Sequence, residues 1–196
     1  MKEKVILFDG TSLDGFTRRD GSPARWELHD GCMTVSRGGG DIVSKFTYGD
    51  AHIHVEFNLP YMPDCFGQDR ANSGVYVQGC YEVQVLDSSM NEVPSDSDCG
   101  AFYNITPPLV NACIGPDVWQ TYDIILRTAK LNEDGTVASH AVVTVLLNGQ
   151  VIHNNFTLPR NTPGGVFGQV VAEGPLLLQD HGNPVSFRNI WVQPLD

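Results

Sequence analysis

The sequence has no long apolar run and few basic residues. None of its apolar stretches approaches the ~20 consecutive residues that a membrane-spanning helix needs. Its 12 lysines and arginines stand against 23 aspartates and glutamates, which gives a formal net charge of −11 at pH 7. Nucleic acids and anionic membrane surfaces attract basic proteins, so this excess of acid argues against both as partners.

Residues 1–10 contain no apolar signal core. Their only apolar stretch, Val5–Phe8, is short and leads directly into an acidic turn. A secretory signal needs an apolar core of roughly 7–15 residues. We therefore expect a cytoplasmic location, with a periplasmic or secreted location as the alternative if a leader peptide has been removed.

Cysteine is scarce and unpaired in spacing. The five cysteines are an odd number and none forms a Cys-x-x-Cys pair. A disulfide framework favours an even count, and a zinc ribbon needs tighter spacing. We therefore expect reduced thiols. A glycine-rich dinucleotide turn leading into a helix is also missing, so this chain should not oxidise a substrate with a nicotinamide or flavin cofactor.

Helical periodicity is missing as well. No window of eleven or more residues repeats its apolar positions every 3.6 residues, and short strand-like runs are separated instead by turns rich in glycine, proline, aspartate and asparagine. This pattern predicts an all-β sandwich of antiparallel sheets with almost no helix, formed as a single domain over residues 1–196. The predicted strands are 26–28, 32–36, 52–59, 73–78, 81–86, 121–128, 141–147, 151–154, 176–179 and 186–193.

Polar and apolar side chains alternate in residues 72–78 and 81–87. Successive side chains on a strand point to opposite faces, so the valines of both runs should face the core. Glutamate and glutamine are depleted in strands, which favours a functional face over a merely solvated one. The opposite face would carry a carboxylate, amides and a phenol, as in a sugar-binding cleft, from Asn72, Tyr76, Gln78, Glu82 and Gln84.

Several short motifs occur along the chain, at residues 7–16, 72–75, 81–87, 100–103, 119, 147–149, 178–182 and 187–190. Together they resemble the 3-keto-disaccharide hydrolase family. No single motif is specific, but eight occur in register. The resemblance implies a concanavalin-like jelly roll of two packed antiparallel sheets. It also implies cleavage of glycosides whose sugar is already oxidised to a ketone at C3, which would make a separate sugar 3-dehydrogenase the upstream partner.

A ketone at C3 acidifies the hydrogen on C2, so a base can remove it and the resulting enolate can expel the C1 substituent. Such a site needs a base near C2, a donor facing the C3 oxygen and an acid for the leaving oxygen. We predict that Glu82, His181 and Arg188 are catalytic, because imidazole titrates near neutral pH and guanidinium suits an oxyanion. Which group is base and which is acid stays open. Arg188 has a structural ion pair as its alternative role, and His181 has simple exposure in a turn.

The remaining candidates are polar groups that could contact a small carbohydrate substrate. Asp87 ends a strand before two serines, so turn capping is its alternative role. The aromatic side chains at loop rims could stack on sugar rings or anchor their loops in the core. The predicted substrate-binding residues are Asn72, Tyr76, Gln78, Gln84, Asp87, Tyr103, Gln179 and Glu56.

No cofactor is expected, although one weak metal candidate exists. His52, His54 and Glu56 alternate along a strand and share a face, so they could hold a divalent ion. An outer strand with polar residues would have the same pattern.

Two other functions remain open. Glu82-x-Gln84-x-x-Asp87 resembles the acidic strand of jelly-roll retaining glycosidases, whose carboxyl groups lie roughly 5–5.5 Å apart. Here five residues separate the two acids, about 16 Å on an unbulged strand, so this conventional mechanism is disfavoured. The second alternative is a non-catalytic, lectin-like glycan-binding module, since the same sandwich can bind glycans without cleaving them.

Overall fold

A computed structural model describes residues 2–195. Within these residues fifteen strands form, and the only helical element is a single 3₁₀ turn at Gly67–Asp69. The strands are β1 (Val5–Phe8), β2 (Phe16–Arg18), β3 (Glu27–His29), β4 (Cys32–Thr34), β5 (Ile42–Tyr48), β6 (Ala51–Asn58), β7 (Ser73–Val77), β8 (Tyr81–Val85), β9 (Trp119–Arg127), β10 (Lys130–Leu131), β11 (Val137–Ser139), β12 (Val142–Leu147), β13 (Gln150–Thr157), β14 (Gly174–Leu178) and β15 (Ser186–Pro194).

Two antiparallel sheets form the sandwich, as the sequence predicts. The large sheet has the order β13-β12-β9-β6-β15-β4-β3, with β1 paired to β15, and the small sheet has the order β2-β5-β14-β7-β8. The strands β10 and β11 form a separate hairpin. The all-β, jelly-roll-like architecture is therefore confirmed.

Apolar side chains from the inner faces of both sheets form one core. The large sheet contributes alternate residues of its central strands, such as Ile53 and Val55 of β6, which are fully buried. The small sheet contributes Val75 and Val83, which lie opposite each other on β7 and β8. Each sheet hides one apolar face in this way, which is the main stabilising contribution to a sandwich.

The strands β7 and β8 are buried on both faces, unlike most of the large sheet. All ten of their residues are buried, whereas β6 alternates buried and half-buried positions along its whole length. Residues 100–103 form backbone hydrogen bonds with β8, Thr162 accepts the Glu82 backbone N–H, and Gln68 accepts a hydrogen bond from the Gln84 side chain. The polar face predicted from the alternation therefore exists, but loops cover it and its side chains are buried from solvent.

Both predicted turns are present. Asn148 and Gly149 connect β12 to β13 with φ values of 53° and 78°, the left-handed conformation that a two-residue hairpin turn requires. Asp30 and Gly31 connect β3 to β4 with φ values of 49° and 74°. No helix between residues 2 and 195 has the length and apolar character to cross a bilayer.

Candidate active site

A hollow of about 160 Å³ opens on the outer face of the small sheet. This volume is smaller than the ~300–1,000 Å³ of typical ligand pockets. Its floor comes from β7 and β8, and its walls come from loop segments that are distant in sequence. The lining residues are Gln68, Asn72, Tyr76, Glu82, Gln84, Tyr103, Pro163, Gly164, Gln179 and His181.

Glu82 is the one carboxylate that lines this hollow among the described residues. It lies in the middle of β8, is only 3% exposed, and its Oε2 accepts a hydrogen bond from the Tyr76 hydroxyl at 2.8 Å. Burial raises the pKa of Glu82 to about 7, and the nearby charge of Asp41 adds to the rise while the Tyr76 hydrogen bond opposes it. A carboxyl group poised near neutral pH can both take and return a proton.

The Tyr76 hydroxyl has a single hydrogen and two acceptors within reach. These are Glu82 Oε2 at 2.8 Å and the carbonyl oxygen of Pro163 at 3.0 Å, while Gln179 Nε2 donates to the hydroxyl oxygen at 3.3 Å. When Glu82 is ionised, the hydroxyl can donate to it. When Glu82 is protonated, the carboxyl can donate to Tyr76, whose hydrogen is then free for Pro163. The protonation state of Glu82 is thus coupled to the hydrogen bond between the Tyr76 hydroxyl and the Pro163 carbonyl.

Amide side chains form another wall and leave acceptors free. Asn72 Nδ2 donates to the Gln68 carbonyl at 2.7 Å, and Gln84 Nε2 donates to Gln68 Oε1 at 3.1 Å. Asn72 Oδ1 and Gln179 Oε1 are buried without a protein partner. An unpaired buried acceptor is costly, so both oxygens suit the hydroxyl groups of a bound carbohydrate.

His181 and Tyr103 lie at the more open part of the hollow. His181 is exposed and Tyr103 is half-buried, whereas Glu82 and Asn72 are buried. The structure therefore brings together seven of the predicted site residues. They are Glu82 and His181 from the predicted catalytic set and Asn72, Tyr76, Gln84, Tyr103 and Gln179 from the predicted binding set.

Arg188 does not join them, which corrects the expectation of one shared site. Phe187 of β15 faces the core, so Arg188 faces the outside of the large sheet. There its Nε lies 2.6 Å from Glu56 Oε2, and its guanidinium lies 4.1 Å from the ring centroid of Trp119. Glu56 is therefore also remote from the hollow. The alternative role of Arg188, a structural ion pair, is the one that the contacts show.

Gln78 and Asp87 also lie outside the hollow. Gln78 is fully buried, and its Nε2 lies 3.0 Å from the Tyr48 carbonyl and 3.2 Å from the Ala172 carbonyl. Its side chain therefore connects the end of β5 to the loop before β14. Asp87 lies 3.3 Å from Arg70 Nε and accepts a hydrogen bond from the Ser89 hydroxyl. Both predicted binding residues have structural contacts, and Asp87 cannot pair with Glu82 as a retaining glycosidase requires.

The weak metal candidate has a different arrangement. Asp123 Oδ1 lies 3.0 Å from His52 Nε2 and 2.9 Å from His54 Nδ1, and Glu56 is engaged by Arg188. From residue 2 to residue 195 no group of three or more histidine, cysteine, aspartate or glutamate side chains has the geometry to hold a metal ion.

Sequence reasoning missed several residues of the site. Gln68 joins Asn72 and Gln84, and Thr162 accepts the Glu82 backbone N–H at 2.8 Å. The long loop before Asn72 and the Gly164-Gly165 pair were the available signals, since both mark turns near the predicted cleft. Neither signal identifies the side chain that reaches the strand.

The family model of the 3-keto-alpha-glucoside-1,2-lyase-like domain matches residues 3–193. A candidate glycosyl hydrolase from Parabacteroides distasonis is 40% identical, with a TM-score of 0.90 over 98% of this chain and 84% of that protein. A second candidate glycosyl hydrolase from the same organism is 19% identical, with a TM-score of 0.73 over 98% of this chain and 94% of that one. Among curated proteins none matches.

A more distant likeness concerns the fold alone. The alginate lyase Aly36B, solved as a mutant with an alginate trisaccharide, is 8% identical with a TM-score of 0.52 over 100% of this chain and 99% of that one. The sandwich architecture is therefore shared with an alginate lyase.

Proposed function

The chain belongs to the family of 3-keto-alpha-glucoside-1,2-lyase-like domains, also called 3-keto-disaccharide hydrolases, and from that premise we propose that it cleaves the glycosidic bond of 3-keto glycosides. Membership makes it a carbohydrate-active enzyme. The ketone substrate and the mechanism are the proposal.

One observation supports the proposal most directly. The hollow holds a single carboxylate, Glu82, and burial raises its pKa to about 7. Direct displacement at C1 uses two carboxyl groups that flank the bond. Elimination next to a ketone instead needs one base near C2 and one acid at the leaving oxygen, which the hollow can supply from Glu82 and His181.

In the proposed step the ionised Glu82 carboxylate takes the hydrogen from C2, and the C2–H electron pair forms an enolate with the C3 carbonyl. The enolate then re-forms the C3 carbonyl, a C1–C2 double bond forms, and the C1–O bond breaks. His181 gives a proton to the departing oxygen. His181 suits this role because it is exposed, and the leaving group must exit toward solvent. Water can then add to C1 for net hydrolysis.

The other polar groups would bind and orient the sugar ring. The phenols of Tyr76 and Tyr103 can donate to a developing oxyanion, and the free acceptors Asn72 Oδ1 and Gln179 Oε1 can receive sugar hydroxyls. Since Arg188 is remote, stabilisation of the C3 oxygen falls to these neutral donors and to the imidazole.

The test is turnover of a 3-keto disaccharide by the wild type, by Glu82→Gln and by the exposed control Glu133→Gln. We expect at least a 10²-fold loss in Glu82→Gln, the lower range of a general acid–base group, and wild-type activity in the control. In D₂O, intact substrate recovered from the wild type should carry deuterium at C2 wherever proton removal is reversible. Equal cleavage of the unoxidised disaccharide would overturn the ketone requirement.

Two results would contradict parts of the proposal. Binding of a 3-keto disaccharide without any turnover would indicate a lectin-like module. Retained turnover in Glu82→Gln would remove Glu82 from the mechanism. If the proposal holds, a separate sugar 3-dehydrogenase must supply the substrate, because this reaction requires a C3 ketone that it does not itself form.

A further inference from the structure

Arg19 connects three acceptors on two different segments beside the hollow. Its Nε lies 2.7 Å from Asp41 Oδ2, its Nη1 donates to the Gly165 carbonyl at 2.9 Å, and its Nη2 donates to the Gly164 carbonyl. Only a planar guanidinium presents donors in this fork, so lysine could not satisfy the same set. Arg19 follows β2, at the far edge of the small sheet from β8.

Asp41 extends the connection to a third segment. While its Oδ2 pairs with Arg19, its Oδ1 accepts the backbone N–H of Asp180 at 2.8 Å. The Asp180 carboxylate in turn accepts the backbone N–H groups of Gly40 at 2.8 Å and Gly182 at 2.9 Å. These bonds brace residues 179–182, which include Gln179 and His181.

Residues 162–166 need the same kind of bracing because they press on the floor of the hollow. A Cβ added to Gly164 would lie 2.7 Å from the Tyr76 hydroxyl oxygen, and the Pro163 carbonyl is an acceptor for that hydroxyl. Thr162 is 1% exposed and accepts the Glu82 backbone N–H. A shift of this segment would therefore move the groups that contact Tyr76 and Glu82.

We propose that Arg19 and Asp41 are positioning residues that together hold residues 162–166 and 179–182 in the arrangement the reaction needs. Neither side chain lines the hollow, and both line a separate depression with Arg18, Asp20 and Gly40. The proposal rests on the proposed function for its effect on turnover, whereas its structural part can be measured without substrate.

The pair also places opposite charges near the site. The groups that face Glu82 are the Tyr76 phenol from β7, the Asp41 charge, and Tyr103 and His181 from the walls. The Asp41 charge contributes to the raised pKa of Glu82, and the Asp41 and Arg19 charges shift the pKa of the Tyr76 phenol in opposite directions. Removing the Asp41 charge should therefore lower the pKa of Glu82.

The experiment compares Arg19→Ala, Arg19→Lys and Asp41→Asn with the control Arg127→Ala. The control breaks an ion pair between Arg127 and Asp50, whose N–O distance is 3.0 Å and which does not line the hollow. Hydrogen–deuterium exchange of the free proteins should be faster at residues 162–166 and 179–182 in the three test variants and unchanged in the control. On a 3-keto disaccharide, kcat should fall about tenfold or more in Arg19→Ala, because small misplacements of catalytic groups are costly. Arg19→Lys should recover only part of it.

The pH profile of kcat/KM supplies a readout that simple destabilisation would not give. Its acidic limb should move to lower pH in Asp41→Asn, because the Asp41 charge contributes to the raised pKa of Glu82. Unchanged exchange in both segments would overturn the positioning role even if turnover falls. If the variants exchange faster but even the wild type does not turn over the 3-keto disaccharide, the positioning role stands and the proposed function is contradicted. Full turnover in both variants would refute the positioning role alone.

Discussion

Gly74 and Glu82 lie so close on adjacent strands that a Cβ at position 74 would meet Glu82 Oε1 at 2.5 Å. Gly74 is directly opposite Gln84 in the β7–β8 register, two residues along β8 from Glu82. Real Cβ atoms essentially never approach an oxygen this closely, so a side chain at this position would displace the carboxylate. The glycine thus makes the space that the acid occupies.

Gly74→Ala should therefore impair turnover more than stability. The carboxylate must swing away from Tyr76, and we expect kcat on a 3-keto disaccharide to fall about 10²-fold. The matched control is Gly168→Ala, where an added Cβ meets nothing within 4 Å. Wild-type kcat in Gly74→Ala would show that the carboxylate position does not limit the reaction.

Glu82→Gln should raise stability at alkaline pH. The folded protein holds the Glu82 pKa at about 7 against 4.5 for a free carboxyl, so the folded state binds more protons between these values and stability falls as pH rises through that window. Above pH 7 the cost of the ionised group approaches about 3 kcal/mol, which the glutamine removes. Urea unfolding at pH 4 and pH 8 measures this; an equal effect at both would contradict it.

His153 should have the opposite pH dependence. It is 3% exposed and its Nε2 donates to the Gly100 carbonyl at 2.7 Å, and burial lowers its pKa below 6.5. The unfolded state then binds more protons than the folded state, so this contribution to stability is complete above pH 6.5 and is lost as pH falls through the folded pKa. His153→Gln keeps a donor and should flatten the acidic side of the stability curve. Identical curves for both proteins would exclude the effect.

Arg188→Ala should leave turnover near the wild-type level. Its ion pair with Glu56 resembles that of Arg19 with Asp41 in length, at 2.6 Å against 2.7 Å, and in arginine exposure, at 42% against 41%. Only the location differs, since Arg188 is on the outside of the large sheet. Steady-state kinetics of the variant checks this, and a 10²-fold loss of kcat would return Arg188 to the site.

The sequence predicts the floor of the hollow well and its walls poorly. The alternation in β7 and β8 correctly separates Tyr76 and Glu82 from the core valines, because strand geometry fixes the facing of each side chain. The same rule predicts that Arg188 faces away from the core, but it does not predict to which sheet the strand of Arg188 belongs. The prediction therefore placed Arg188 beside Glu82, whereas it lies on the outside of the other sheet. Arg19 and Asp41 carry no periodic signal at all, since their role comes from contacts with segments more than 130 residues away.

The two-sided burial of β7 and β8 has a consequence for how this protein can change. Each position on those strands either packs in the sandwich interior or faces the side of the sheet that carries the hollow. A substitution there is therefore expected to lower either the stability of the fold or the activity. The wall residues Gln68 and Tyr103 lie on loops outside the sandwich interior. New substrate preferences should therefore arise by varying these two positions, and a library confined to them can explore specificity with the scaffold held constant.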